Sequence, residues 1–138
     1  MKNFITIAVA IVLLFSGAIW WSNSLSSGDR SLITQSGLHW HPLLEIYVKG
    51  EKIEIPQNIG LLGVHSPIHT HDDLPIIHME FSGKVTEDDI RLRNFFRVWG
   101  KDFMEFSPQV MMTVNGQENI EFGNYQMHDG DKIEIRYE

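Results

Sequence analysis

"LLEIYVKGEKIEIP", residues 43 to 56, carries two alternating arms on either side of Lys49-Gly50-Glu51. In the first arm Leu44, Ile46 and Val48 share one face, and in the second Ile53 and Ile55 take the matching face. Successive side chains of a strand leave opposite faces, so period-two alternation around a glycine-containing turn predicts a β-hairpin with one buried side. That hairpin makes a sheet the base of the domain.

Downstream, "IIHMEF" (76 to 81) alternates again, with Ile77, Met79 and Phe81 to one side and Ile76, His78 and Glu80 to the other. In "VTEDDIRLRNFFRVWG" (85 to 100) acidic residues come early, an arginine late, and Gly100 stands as a stop. Leu92, Phe95, Phe96 and Trp99 fall at helical spacing, which predicts a helix that begins either at Thr86 as N-cap or only near Leu92, with Ile90-Arg91-Leu92 still extended, the shorter version being favoured. After Ser107-Pro108, "VMMTVNG" (110 to 116) and "DKIEIRYE" (131 to 138) predict two further strands. Ile133, Ile135 and Tyr137 point inward in the second, and Lys132, Glu134 and Arg136 outward. Between the hairpin and the next strand, Gly60 to Pro75 reads as a long loop, and a loop of that length in a compact domain is usually functional or unstructured. Hairpin, loop, strand, helix, strand, strand predicts an α+β fold, a mixed β-sheet with one packed helix. The ending "VNGQENIEFGNYQMHDGDKIEIRYE" (114 to 138) resembles the ubiquitin-like β-grasp family, which implies a sheet closed by the last two strands.

Upstream, "FITIAVAIVLLFSGAIWW" (4 to 21) has no charged residue and follows Lys2 and the free amino terminus. At about 1.5 Å per residue it nearly spans a hydrocarbon core of about 30 Å. Two readings fit: a cleaved signal peptide, with Ser16-Gly17-Ala18 as the small-residue site, and an uncleaved single transmembrane helix with Trp20 and Trp21 as its aromatic belt. The apolar run continues past the cleavage site into Ile19-Trp20-Trp21, which favours the anchor. Either way the positive N-terminus stays cytoplasmic and the working domain crosses to the outside. The expected organisation is a membrane segment at 1–22, a flexible stem at 23–37 where Ser, Asn, Gly and Asp dominate, and an extracytoplasmic α+β domain at 38–138.

Composition narrows the chemistry. With 138 residues, 43% of them apolar, there is room for one modest core. Cysteine is absent, which removes disulfides, thiolate metal sites and thiol catalysis. The net charge of -7 offers no basic surface to nucleic acid.

Seven histidines are present. "LHWHP" sets His39 and His41 two apart, so on an extended segment both rings leave one face about 6.5 to 7 Å apart at Cα, a gap two imidazoles can close onto one ion. "HTH" repeats the spacing at His69 and His71, and His78 adds a ligand on a strand. Asp72 and Asp73 follow the second pair and suit the role of carboxylates that orient metal-bound histidines; Glu80 can ligate, orient or act as a base. His65 is placed either as a ligand or as a bystander, while His128 in its turn and Trp40 between the first pair read as structural. An all-imidazole set without thiolate points to copper(II) or zinc, with iron third, because the nearby thioether of Met79 should face the core.

The series "HWHPLLEIYVKGEKIEIPQNIG", "HTHDDLPIIHMEF" and "FFRVWG" resembles a family of small exported or membrane-anchored histidine-rich domains of bacteria and archaea. Their pattern is H-x-H, then H-T-H-D followed by I-I-H-x-E, then F-F-x-x-W-G. The resemblance implies a site at His39, His41, His69, His71 and His78 and names no reaction. This chain departs from the pattern at "LPIIH", where a glycine commonly precedes the two isoleucines, a change in the turn and not in the ligands.

Three functions follow as expectations. The first is a membrane-tethered domain that binds, buffers or delivers copper or zinc, as an accessory to a membrane metalloenzyme partner. The second is a zinc hydrolase or hydratase in which three histidines hold the ion and Glu80 is the general base. The third is a metal-free β-grasp interaction module whose histidines titrate near their ordinary range.

Overall fold

A computed structural model of the chain describes residues 11–21 and 31–138. By its contacts the chain divides into two units, Met1–Leu32 and Ile33–Glu138. In the first, residues 11–21 form a helix, α1, whose side chains are exposed. Among the described residues no helix is long and apolar enough to cross a membrane, so the expected single spanning helix is not seen there; residues 1–10, which include the first part of that run, lie outside the described residues.

The second unit is α+β, with ten strands in three sheets. A strand at Leu32–Thr34 (β1), inside the segment read as a stem, pairs with Val85–Thr86 (β7). The expected hairpin is Leu43–Val48 (β3) and Glu51–Ile53 (β4), antiparallel, with Ile46 opposite Ile53. Lys49 and Gly50 turn it with φ of 52° and 84°, the left-handed pair that matches strand twist in a two-residue hairpin loop. β3 also pairs in parallel with the last strand, Lys132–Tyr137 (β10), which pairs antiparallel with Val110–Val114 (β8). With Gln117–Glu118 (β9) at the edge, the mixed sheet runs β4-β3-β10-β8-β9.

Leu44, Ile46, Ile133, Ile135 and Tyr137 are buried from this sheet, as the alternation predicts. The helix Leu92–Trp99 (α2) supplies Leu92, Phe95 and Phe96. It starts after Arg91 in extended geometry and stops where the Gly100 N–H donates to the Arg97 carbonyl at a φ of 78°.

A three-stranded sheet forms the remaining part: Leu38–Trp40 (β2), His78–Phe81 (β6) and Ile68–His69 (β5), all antiparallel, in the order β2-β6-β5. The segment read as one long loop therefore contains a strand. Leu38, Ile68, Ile77 and Met79 enter the same core as the five-stranded sheet. The two sheets are stitched where the chain passes from β2 to β3. There the Ile77 N–H donates to the Pro42 carbonyl and the Leu44 N–H to the Pro75 carbonyl, at 2.8 and 2.9 Å.

Candidate metal centre

Because β2, β6 and β5 send Leu38, Met79 and Ile68 inward, the intervening residues must leave the other face. The register then sets His39 opposite Glu80 and His69 opposite His78. His41 and His71 lie two residues beyond His39 and His69 and bring their rings to the same group. His69 and His78 stack at 5.5 Å between ring centroids, and His71 meets both edge-on at 4.8 and 4.7 Å. The ligand atoms of His69, His71 and His78 all lie within 4.8 Å of one another, and these three residues can hold a metal ion. Tetrahedral zinc with bonds of about 2.0 Å asks for ligand atoms about 3.3 Å apart, so the set would have to draw together to hold one.

Each of two rings is oriented by a partner that can only accept. His69 Nδ1 donates to the Ser66 carbonyl at 3.1 Å, and His78 Nε2 donates to the Asp73 carboxylate at 3.0 Å from each oxygen. The opposite nitrogens, Nε2 of His69 and Nδ1 of His78, keep their lone pairs. An outward-facing carbonyl or carboxylate behind a metal-binding imidazole fixes its tautomer and raises its basicity. Burial pushes the His69 imidazole below its ordinary range, which keeps it neutral and able to ligate, and the hydrogen bond from His78 holds the Asp73 carboxyl below the usual carboxylate range.

Thr70 locks the H-T-H segment. Its side chain is fully buried, its hydroxyl donates to the Pro56 carbonyl at 2.9 Å, and it accepts the Ile59 N–H at 3.1 Å. Gly60 does the same for the loop beneath β5. With a φ of 75° it sits where a Cβ would come within 2.6 Å of the Ile68 carbonyl oxygen and 2.9 Å of Val98, so only glycine fits.

The remaining predicted residues fall around this triad. His39 and His41 lie 4.7 Å apart by ring centroid, and His41 reaches His78 at 5.0 Å. His39 Nε2 is 3.3 Å from Glu80 Oε1, so the carboxylate considered as a general base stands against an imidazole. His65 is exposed at the margin, 6.3 Å from His69. Asp72 is exposed, and its neighbour Asp73 takes the orienting role. Trp40 packs against the core, and His128 rests beside it at 5.6 Å. Met79 is fully buried, so its sulfur is directed away from the histidines. Sequence reading missed Ser66, Thr70 and Asp129, whose Oδ1 accepts the His41 N–H at 2.8 Å. Thr70 is flagged by standing between two candidate ligands, whereas Asp129 is 88 residues from His41 and carries no local signal.

No family model, curated protein or solved structure matches this chain.

Proposed function

We propose that this protein is a membrane-tethered, extracytoplasmic metal-binding domain that binds, buffers or delivers copper or zinc through His69, His71 and His78. The observation that carries the reading is the convergence of three imidazoles from a strand pair and its adjoining turn, two of them backed by a carbonyl and a carboxylate. Isolated surface histidines have no reason to be oriented in that way. Imidazoles without thiolate, and a methionine turned into the core, favour copper(II) or zinc over copper(I). The tether comes from the apolar run at residues 4–21, and the absence of cysteine fits a site that does not depend on redox state. The strand order β4-β3-β10-β8-β9, with its parallel central pair, and the burial of Leu92, Phe95 and Phe96 of α2 in the shared core support a β-grasp scaffold.

Elemental analysis of the full chain, purified in detergent without a histidine tag, tests the reading beside a His69→Ala/His71→Ala variant. Stoichiometric copper or zinc in the parent and its loss in the variant is the expected result. Absence of both metals after incubation with each, at an unchanged melting temperature, overturns it.

A further inference from the structure

The triad accounts for three of the histidines on this face, and two more touch it without being needed by it. The rings of His39 and His41 lie 4.7 Å apart by centroid with their planes tilted by 49°, and the cross-strand register places Glu80 beside His39, with Nε2 and Oε1 3.3 Å apart. That separation already equals the edge of a tetrahedral zinc site, about 3.3 Å. His41 is held from behind: Asp129 Oδ1 accepts its main-chain N–H at 2.8 Å and lies 3.8 Å from its Nδ1.

Exposure falls steadily along the row of rings. The side chain of His39 is 64% exposed, that of His41 40% and that of His78 12%, while His69 is 4% exposed as a residue. Successive ring centroids along that row, from His39 to His41, His78 and then His71 or His69, are never more than 5.5 Å apart. An open cleft of about 550 Å³ lined by Ser36, Gly37, His39, Glu80 and Ser82 gives a donor access to the outer end.

We propose that His39, His41 and Glu80 form a second, outer cation station that captures a divalent copper or zinc ion from solvent or a donor and exchanges it with the inner triad through His41 and His78. The outer station rests on the inner triad being the metal site proposed above. Ligand exchange moves the ion with no change of oxidation state. One imidazole displaces another, and the carboxylate of Glu80, freed from His39, balances charge at the entrance. Two imidazoles and a solvated carboxylate hold an ion less firmly than three oriented imidazoles, so the ion runs inward.

Zinc titration and stopped-flow loading of the full chain in detergent test this, using a chromophoric chelator as donor and comparing the parent with His39→Ala/His41→Ala and His39→Gln/His41→Gln. Circular dichroism reports that each variant is folded. The expected result is two equivalents in the parent and one in either variant, the remaining ion held with unchanged affinity. Loading of that ion should slow on the order of tenfold, because a tethered hand-over is replaced by direct capture. A parent that binds one equivalent, with variants loading at the parental rate, removes the outer station and leaves the triad intact. Loss of all binding in both variants means one five-histidine site and also overturns it. No binding by the parent fails the triad itself, and the outer station with it.

Discussion

On β10 the outward positions are Lys132, Glu134 and Arg136, and Arg136 spends its charge on Glu134 at 2.7 Å. On β2, β5 and β6 the corresponding positions are His39, His69, His78 and Glu80. The inward positions of the two sheets are alike, aliphatic and aromatic side chains sharing one core. Inward alternation sets where a strand lies and says nothing about its use. The outward set separates a solvated surface of paired charges from a face of clustered imidazoles, three of which could hold a metal ion.

This contrast can be broken at several places. Phe96→Ala empties a fully buried position on α2, which packs against Phe103 at 5.2 Å, and should cost about 3–5 kcal/mol in urea unfolding with or without metal. A cost that disappears in metal-loaded protein would mean that the histidine face, and not the apolar core, dominates stability. Zinc or copper at about a hundredfold excess over Kd should stabilise the parent by about 2.7 kcal/mol and leave His69→Ala/His71→Ala unchanged. Equal stabilisation of both proteins would place the ion elsewhere. Thr70→Val leaves the Pro56 carbonyl and the Ile59 N–H without their partner and should cost about 1–3 kcal/mol. Because Thr70 holds the H-T-H segment, the same change should weaken zinc affinity measured by competition, whereas Phe96→Ala should not at temperatures where it stays folded.

The mildest test is pH. Burial pushes the phenols of Tyr125 and Tyr137 well above their ordinary range, with Asp131 adding to the effect at Tyr125. A phenol whose pKa is raised by folding contributes stability below its unfolded value of about 10 and loses it as pH climbs past that value. Melting temperature should therefore hold steady from neutrality and fall above about pH 10, with tyrosinate absorbance appearing together with unfolding. Ionisation of both phenols in folded protein at an unchanged melting temperature would contradict their burial.

The hairpin, the helix Leu92–Trp99 with its Gly100 stop, and the inward set of β10 were all legible in the sequence, because each repeats its period often enough to register. β5, two residues long, and β2, three, are too short for any period to be counted, so the strand inside the segment from Gly60 to Pro75 was hidden. The parallel pairing of β3 with β10 joins the two ends of the domain, and no local pattern announces it. The candidate histidines were visible through spacing alone. What spacing leaves out is the order among them: His69 is the buried member, His39 the most exposed of the row, and Asp73 the carboxylate in use. Those distinctions depend on the pairing of His69 with His78 and of His39 with Glu80 across strands, a property of register and not of residue type.

β6 is the middle strand of its sheet, and its two faces belong to different parts of the protein: Met79 to the core, His78 and Glu80 to the histidines. One residue inserted between Ile77 and Glu80 would exchange those faces over the rest of the strand, burying a polar side chain and exposing a core one in a single step. The exposed tip at Leu62 to Val64 carries no such constraint. A library of single-codon insertions across the gene should therefore find tolerated lengths around that tip and almost none within β6, which makes chain length, more than residue identity, the strictest demand this site places on its own inheritance.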